Sequence, residues 1–253
     1  MMSLEILVLV TLLIVTIWNI WQFFNILRRK APHLFHLGDI ESVVVLSDIH
    51  ILDSIDERPN LIRLLSKIKP SIMIIAGDLF EREHRRMDRN SLRGILLRTL
   101  KSISWIREII YITSLTSHDP ILHTDVICME MPGDVTTRIT VLKGGLVHFR
   151  SNNTDFYVLH GDFLCRNGAY AGLINLLATT LFGRKLFLES LGKKFLKLDE
   201  NSWLIMGHTH MVGIDAERRL INCGCWKSYW RAKATGTLVH IYKGTPNLIH
   251  VSI

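Results

Sequence analysis

Short apolar runs that are followed within a few residues by aspartate or histidine constrain the fold of this chain more than any other feature. Five such runs are rich in Val, Ile and Leu, at 42–46, 71–76, 109–113, 156–159 and 203–206. Continuous apolar runs of this length are typical of strands that are buried on both faces. Helical patterns at 59–68 and from Ser91 to about Ile103 separate the first three runs. Strands that alternate with helices predict an α/β fold with a parallel sheet.

The second half of the chain is predicted to be richer in strands. Alternation across 138–150, around Lys143-Gly144-Gly145, predicts a β-hairpin. Residues 169–198 have a helical pattern, and 212–251 contains several short strands with turns between them. This order predicts a layered α/β domain whose core lies between two sheets.

The first thirty residues predict a membrane anchor. Residues 6–26 carry no charge, and at ~1.5 Å per residue a helix of this length spans a hydrocarbon core of ~30 Å. Arg28-Arg29-Lys30 follow, whereas Glu5 is the only charge before them, so the positive-inside rule predicts an outside N-terminus and a cytoplasmic body. A cleaved signal peptide is the alternative, but the sequence shows neither a basic n-region nor a small-residue cleavage site. We therefore predict an anchor at 1–30 and one domain at 31–253.

Composition limits the function classes that remain. The chain is 48% apolar, which excludes a disordered protein, and its mean hydropathy of +0.24 fits a protein with a membrane segment. The net charge is +7, and because Glu5 is the only charge before Arg28, the body carries +8. Such a body favours phosphate-rich partners, either lipid head groups or nucleic acid. Four cysteines do not make a disulfide framework, so reduced thiols in a cytosolic environment are preferred.

Candidate metal ligands follow the apolar runs. The motifs are Asp48-Ile49-His50, Gly77-Asp78, Ser117-His118-Asp119, His160-Gly161-Asp162 and Gly207-His208-Thr209-His210. The carboxyl ends of strands in an open α/β sheet share one crevice, so these motifs can converge on one site. Imidazole and carboxylate ligands suit Mn, Fe, Zn or Co, and a carboxylate shared by two ions would form a two-metal clamp for phosphoryl displacement.

In this order, the motifs resemble those of the calcineurin-like metallophosphoesterase superfamily: D-x-H, G-D, G-N-H-[DE], H and G-H-x-H. The resemblance covers about 43–226, and four of the five motifs match fully. It implies an α/β/β/α sandwich with two divalent metal ions. By position, the implied metal ligands are Asp48, His50 and His210 for one ion, His160 and His208 for the other, and Asp78 as the bridge.

The resemblance also implies a mechanism in which the metals activate a water for attack on phosphorus. His118 would protonate the leaving oxygen or stabilise its charge, and Asp119 would orient the His118 ring. The third motif departs from the family, because Thr116-Ser117 stands where the family has Gly-Asn. Ser117 would then be a weak ligand of the second metal, or a water would take that place. Seven histidines match no motif and are interpreted as structural or surface residues: His33, His36, His84, His123, His148, His240 and His250.

A narrower resemblance is to the UDP-2,3-diacylglucosamine pyrophosphohydrolase branch. It rests on 77–81, on 160–165 with Tyr170, and on Gly-Cys-Trp at 224–226. The branch implies cleavage of a nucleotide-linked pyrophosphate on a lipid at the cytoplasmic membrane surface, with manganese as the usual metal. It also implies a helical cap insertion over the acyl chains, and about 168–198 occupies that place here. The composition of the insertion is typical of a helix that lies in a membrane interface. The composition of its first helix is equally typical of an ordinary core helix.

Two departures keep the sugar-lipid specificity from being transferred. Arg166-Asn167-Gly168 replaces the acidic residues that are usual after the branch's cysteine, and an integral anchor is unusual there. The leading hypothesis is therefore a membrane-anchored hydrolase of a phosphodiester or pyrophosphate bond, on a lipid-linked or nucleotide-linked substrate. It would use two divalent ions, with manganese preferred over Fe, Zn, Co or Mg.

The alternative functions are a nuclease or nucleotide phosphodiesterase, and a non-catalytic scaffold. A nucleic-acid substrate is disfavoured because no basic strip is interleaved with aromatic residues. The oligomeric state stays open.

Overall fold

A computed structural model describes residues 4–27, 32–116, 118–133, 135–228 and 233–253, with the side chains of the first helix described for 6–18. The helices are α1 (Leu4–Leu27), α2 (Pro59–Ile68), α3 (Arg89–Thr99), α4 (Gly168–Phe182) and α5 (Phe187–Phe195). The strands of the first half are β1 (Leu34–Asp39), β2 (Ser42–Leu46), β3 (Ile72–Ala76), β4 (Glu108–Thr113), β5 (Val126–Met131) and β6 (Thr137–Lys143). The others are β7 (Leu146–Ser151), β8 (Thr154–Leu159), β9 (Trp203–Met206), β10 (Gly213–Asp215), β11 (Leu220–Asn222), β12 (Thr237–Tyr242) and β13 (Thr245–His250).

Two sheets form the centre of the domain. A seven-stranded sheet has the order β13-β12-β2-β3-β4-β6-β5, and β2, β3, β4 and β6 run parallel. A six-stranded sheet has the order β1-β7-β8-β9-β11-β10, with β8, β9 and β11 parallel. Every residue of β3 and β9 is buried, which accounts for their uninterrupted apolar sequences. The predicted α/β class is confirmed.

The apolar contacts show how the layers are stacked. Between the sheets, Val45 and Ile74 of one share a core with Phe156 of the other. On the outer face of the seven-stranded sheet, Leu61 of α2 and Leu96 of α3 pack against the other side of the same strands. Leu186 and the partly buried Phe195 cover the outer face of the six-stranded sheet, beside Leu204 and Met206. The order is therefore helix, sheet, sheet, helix, with the core between the sheets as predicted.

The hairpin predicted at 138–150 is wrong. β6 lies between β4 and β5 in the seven-stranded sheet, whereas β7 lies between β1 and β8 in the six-stranded sheet. Gly144 turns the chain with φ +56°, and its amide donates to the carbonyl of Thr113 rather than across a two-strand ladder. A hairpin and a crossing between two sheets give the same sequence pattern, two alternating segments joined by a glycine turn. In both arrangements each strand buries one of its faces. The crossing places β8 and β9 beside the ends of β2 and β3.

Two helix boundaries also differ from the prediction. Asp88, not Ser91, caps α3: its side chain accepts a hydrogen bond from the amide of Ser91 at 2.7 Å. The helix ends at Thr99, and a 3₁₀ turn at Lys101–Ile103 follows it. The segment predicted as helical at 169–198 forms two helices, because Gly183 ends α4 in a left-handed conformation with φ +63°.

The structure does not confirm the predicted membrane anchor. Within the residues whose side chains are described, no single helix is long and apolar enough to cross a membrane. Ile6–Trp18 forms a shorter apolar helix, and α4 and α5 meet the length and composition requirement only as a pair bent by 107°. The basic flank at 28–30 and the predicted boundary between residues 30 and 31 lie outside the described residues.

Candidate metal centre

The predicted ligand motifs meet at the carboxyl ends of strands from both sheets. Motifs after β2, β3 and β4 come from the seven-stranded sheet, and motifs after β8 and β9 come from the six-stranded sheet. Among the described residues, three groups place their possible ligand atoms within 4.8 Å of one another. These groups are Asp78 with His160 and His208, His50 with Asp78 and His118, and His50 with His210 and Cys225. The five motifs and the segment that carries Cys225 thus converge on one buried region.

Three of the histidines each direct one ring nitrogen to a protein oxygen and the other towards the cluster. Nδ1 of His50 lies 3.3 Å from Oε2 of Glu81, and Nδ1 of His160 lies 2.9 Å from the carbonyl of Ala76. In His208 the roles are reversed, because Nε2 contacts the carbonyl of Cys165 and Nδ1 lies 3.2 Å from Nε2 of His160. Metal-binding histidines are usually fixed in this way, since donation from one nitrogen leaves the lone pair of the other for the ion.

Asp78 lies where the two possible ion positions would meet. Its Oδ2 is 3.6 Å from Nε2 of His160, and it shares a group of close ligand atoms with His50 and another with His160 and His208. Its Oδ1 is buried and accepts no hydrogen bond from the residues that the structure describes. A buried carboxylate oxygen without a donor is costly, and a cation would remove that cost. The residues therefore fit a bridging metal ligand.

Asp48 is held from several sides. Its Oδ2 accepts hydrogen bonds from the amide of His208 at 2.9 Å and from the hydroxyl of Ser47 at 2.5 Å. Its Oδ1 lies 3.1 Å from Nε2 of His210. The bond to His208 joins the first motif to the last, so Asp48 fixes the distance between the two sheets at the site.

The backbone at the site is strained. In the described residues, thirteen positions other than glycine have positive φ, and six of them belong to the predicted site. These six are Asp48, His50, Asp78, His118, His208 and His210, with φ between 47° and 67°. The left-handed region costs a residue with a side chain of order 1 kcal/mol or more, and such positions concentrate at functional sites. The strands end here, and the side chains that follow them turn towards one cluster.

Two glycines of the motifs are required by close packing. A Cβ on Gly77 would lie 2.3 Å from the ring of His160, and φ at Gly77 is +79°. A Cβ on Gly207 would lie 1.8 Å from Oγ of Ser47 and 2.3 Å from Oδ2 of Asp48. Only glycine permits the last motif to approach the first this closely.

Charges within the cluster balance in pairs. Burial opposes ionisation of Asp48, but His210, His160 and His50 together more than offset it, so the pKa of Asp48 lies well below its ordinary value. Burial would lower the pKa of His210, yet the Asp48 carboxylate raises it to about 10. For His50, burial outweighs the attraction of Asp48 and Asp78 and lowers the pKa to about 4, which keeps this imidazole neutral at neutral pH. Neutral imidazoles and ionised carboxylates are the forms that bind a metal.

The contacts of Asp119 differ from its predicted role as the residue that orients the His118 ring. Its side chain accepts hydrogen bonds from the amides of Asp78 and Ser114, each at 2.8 Å. Nδ1 of His118 instead contacts the carbonyl of Glu81 at 2.8 Å. Burial, reinforced by the nearby Asp78, raises the pKa of Asp119 to about 7. Asp119 therefore holds the ends of β3 and β4 together, and a backbone carbonyl orients the histidine.

Ser117 lies outside the described residues, so its predicted role as a weak ligand stays a prediction. The residues before it are anchored by Asp162 of the fourth motif. Oδ2 of Asp162 accepts from the amide of Leu115 at 2.5 Å and from the hydroxyl of Ser114 at 3.3 Å. The described residues just before the third motif are thus fixed from the six-stranded sheet.

Sequence reasoning assigned no role to Glu81 or Lys227. One carboxylate oxygen of Glu81 faces His50, and the other pairs with the Lys227 ammonium. The backbone carbonyl of Glu81 accepts a hydrogen bond from His118. Glu81 follows Gly77-Asp78 by three residues and ends the 77–81 segment of the narrower resemblance, and these are the signals that could have indicated a role for it.

A second polar network, also missed, joins the insertion to the last motif. Glu189 of α5 is fully buried, and its Oε1 accepts from Oγ1 of Thr209 at 3.0 Å and from Nδ2 of Asn222 at 2.7 Å. Its Oε2 accepts from Nδ2 of Asn175 at 2.9 Å, and Oδ1 of Asn175 accepts from the amide of Leu188 at 2.8 Å. Thr209 lies between His208 and His210, so this network supports the ligand segment. In the sequence, this network is indicated only by a glutamate among the apolar residues of a helical segment.

No protein-family model and no curated protein sequence matches this chain. Among solved structures, it is similar to a novel archaeal phosphodiesterase at 14% identity, over 83% of this chain and 99% of the other, with a TM-score of 0.36. It is also similar to Yfce, a phosphoesterase from E. coli, at 12% identity, over 83% and 100%, with a TM-score of 0.38. A cold-active protein-tyrosine phosphatase of a psychrophile Shewanella sp. has 16% identity, over 88% and 83%, and a TM-score of 0.39. Similarity this distant does not assign an activity to the chain.

Proposed function

We propose that this chain is a membrane-anchored, metal-dependent hydrolase that cleaves a phosphodiester or pyrophosphate bond in a lipid-linked or nucleotide-linked substrate. One observation carries the hydrolase part of the proposal. Imidazoles and carboxylates from five segments converge in a buried cluster, and three of the histidines have one ring nitrogen occupied by a protein oxygen. Imidazoles and carboxylates arranged in this way are the ligands that divalent metal ions take in proteins.

The ligands divide into two sets that share one carboxylate. Asp48, His50 and His210 would hold one ion, His160 and His208 would hold the other, and Asp78 would contact both. When bound, the ions supply Lewis-acid activation of water and neutralise charge on the phosphoryl oxygens. The chain's own contribution is to hold these ligands on strained backbone that cannot relax, because Gly77 and Gly207 are packed directly against other motifs.

His118 is placed to transfer a proton to the leaving oxygen. Its Nδ1 donates to the carbonyl of Glu81, which fixes the ring and leaves Nε2 as the nitrogen for proton transfer. The ring centroid of His118 lies 4.7 Å from that of His50 in an edge-to-face arrangement, so the acid stands beside the first set of ligands. Glu81 contacts both rings and thereby fixes their separation.

The lipid part of the proposal rests on the surface of α4. Five large apolar side chains of this helix are between 47% and 72% exposed: Leu173, Leu176, Leu177, Leu181 and Phe182. The helix begins against the last motif, since a Cβ on Gly168 would lie 2.8 Å from the carbonyl of His208. An acyl chain lying along α4 would therefore bring its phosphate head group to the metal ligands.

The anchor part of the proposal rests on α1 and on the charges that follow it. From Ile6 to Trp18 the large apolar side chains of α1 are exposed, as they are in a helix that is surrounded by lipid. With Arg28-Arg29-Lys30 after the helix, we propose a single-pass protein with its N-terminus outside and its catalytic domain in the cytoplasm. Two divalent ions are proposed, with manganese, iron, zinc, cobalt or magnesium as the candidates.

One observation favours a nucleotide or nucleic-acid substrate instead. Arg82, Arg85 and Arg86 are exposed in the segment that follows Asp78, and this segment contacts His118 through a bond between the amide of Glu83 and the carbonyl of His118 at 2.8 Å. Exposed arginines beside a phosphoryl-transfer site can bind additional phosphates. The two substrate classes are separated by the experiment below.

The test is a hydrolysis screen of the detergent-solubilised protein with Mn²⁺, Co²⁺, Zn²⁺ or Mg²⁺. The substrates are a nucleotide-diphospho-lipid, bis(nitrophenyl) phosphate and single-stranded DNA. We expect cleavage that depends on the metal, with the lipid cleaved fastest, and we expect Asp78→Asn to abolish it while the exposed His250→Ala retains it. Preferred cleavage of DNA would replace the lipid substrate with a nucleic acid. No metal-dependent cleavage of any substrate would favour the non-catalytic scaffold.

A further inference from the structure

A thiol lies among the imidazoles of the first ligand set. Possible ligand atoms of His50, His210 and Cys225 all lie within 4.8 Å of one another. Cys225 is only 2% exposed and belongs to the segment between β11 and β12. The amide of Trp226 donates to the carbonyl of Asp48 at 2.9 Å, which fastens this segment to the first motif. The thiol is therefore built into the site.

The surroundings of the sulfur suit an anionic ligand. The amide of Lys227 points at Sγ from 3.3 Å and would donate to a thiolate. As a neutral thiol, Cys225 donates its own hydrogen to the carbonyl of Lys227 at 3.1 Å. When an ion binds, the sulfur–hydrogen bond breaks, a sulfur–metal bond forms and the proton passes to solvent. The hydrogen bond from the Lys227 amide remains and then stabilises the thiolate.

The other cysteines belong to different environments. Cys223 lies in the apolar core between the sheets, and Cys165 packs against Ala171 and Leu188. Cys128 is exposed on β5. Neither of the two buried cysteines joins a group of close ligand atoms among the described residues. Cys223→Ala is therefore a matched control for changes at Cys225, because it removes a buried thiol two residues away.

We propose that Cys225 is a thiolate ligand of the metal ion that His50 and His210 hold, which gives that position a mixed set of imidazole, carboxylate and sulfur donors. The inference rests on the proposed metal-dependent hydrolase and concerns the metal it uses. Thiolate is a soft ligand that suits zinc or iron, whereas manganese and magnesium prefer oxygen. Zinc or iron therefore occupies this position in preference to manganese, and the second ion position, with imidazole and carboxylate only, keeps the broader preference.

Cobalt reports directly on a sulfur ligand. Metal-free wild type, Cys225→Ser, Cys225→Asp and Cys223→Ala proteins are titrated with Co²⁺ while the absorption spectrum is recorded. A thiolate bound to Co²⁺ gives an intense near-ultraviolet charge-transfer band, which imidazole and carboxylate do not. We expect the band in the wild type and in Cys223→Ala, and its complete loss in both Cys225 variants. In a competition between Zn²⁺ and Mn²⁺, Cys225→Asp should bind relatively more manganese than the wild type.

The outcomes separate this inference from the proposed function. If the wild type binds Co²⁺ and hydrolyses diesters but shows no band, or if the band persists in Cys225→Ser, Cys225 is not a ligand and the hydrolase stands. If the wild type binds no Co²⁺ at all, both proposals are wrong. X-ray absorption of zinc-loaded wild type needs no variant, and it should show a sulfur scatterer at ~2.3 Å. A first shell of nitrogen and oxygen alone would overturn the inference, whether or not the variants fold.

Discussion

The change Gly207→Ala tests whether close packing of the last motif on the first one shapes the metal centre. The added Cβ would lie 2.3 Å from Oδ2 of Asp48 and 1.8 Å from Oγ of Ser47. Neither oxygen is the loose end of a flexible side chain, because Oγ of Ser47 shares its one hydrogen between Asp48 and the carbonyl of Ala76, which lies 2.6 Å away, and Asp48 is fully buried. Oδ2 of Asp48 must therefore move by about 1 Å to regain ordinary van der Waals separation.

The magnitude follows from that displacement. Metal–ligand distances tolerate changes of only ~0.2 Å, so a carboxylate displaced by about 1 Å is lost as a ligand or binds in poor geometry. We expect the first ion to bind at least ~10–100-fold more weakly, as when the supporting contacts of a metal ligand are removed. Overpacking should also destabilise the metal-free protein by ~1–3 kcal/mol.

The assay is a competition between the metal-free protein and a chromophoric chelator for Zn²⁺ or Mn²⁺, with urea unfolding of the same samples. Gly94→Ala in α3 is the matched control, because nothing lies within 4 Å of its added Cβ. Alanine inside a helix should stabilise that variant by ~0.5–1 kcal/mol and leave metal binding unchanged. If Gly207→Ala binds both ions as tightly as the wild type, the inferred packing does not shape the site and the argument is refuted.

Three further changes test the acid, the supporting network and the insertion. His118→Ala should retain its metal and lower kcat by ~10²–10⁴-fold for poor leaving groups and much less for nitrophenyl esters; an equal loss for both in steady-state assays would contradict proton donation. Glu189→Gln should lower the free energy of unfolding by ~1–3 kcal/mol in urea denaturation. The new NH₂ group faces the NH₂ group of Asn175, and the oxygen of Asn175 already accepts from the amide of Leu188. Unchanged stability would show that the network can rearrange. Leu177→Asp should reduce turnover of a lipid substrate in vesicles much more than that of a soluble ester, because its side chain is exposed on α4. Equal losses in parallel assays would make Leu177 an ordinary structural residue.

The sequence predicted the parts of the structure that depend on local pattern and strand ends. Apolar runs of four to six residues became buried strands, and the polar residues directly after them became the site, as Asp48 and Asp78 illustrate. Parallel strands present their carboxyl ends on one edge, so the convergence of these motifs required no knowledge of the loops.

The rest depended on contacts between distant segments. The alternation around Lys143-Gly144-Gly145 describes a turn but does not reveal that the two strands join different sheets. The chain positions of His118 and Asp119 suggested a pair, whereas the structure directs the carboxylate to backbone amides and the imidazole to the carbonyl of Glu81. The sequence did not indicate that Cys225 lies close to His50 and His210, because Cys225 is distant in sequence from every metal motif except the last and its neighbours form no metal-binding pattern.

The metal content of the wild type and of Asp78→Ala tests the central claim most directly. Asp78 is common to a group with His50 and a group with His160, so its carboxylate should be required for both ions. After removal of metal by a chelator and reloading, elemental analysis should give two ions per chain for the wild type and for the control Asp155→Asn, and less than one for Asp78→Ala. Full retention of both ions by folded Asp78→Ala would contradict a centre bridged by Asp78.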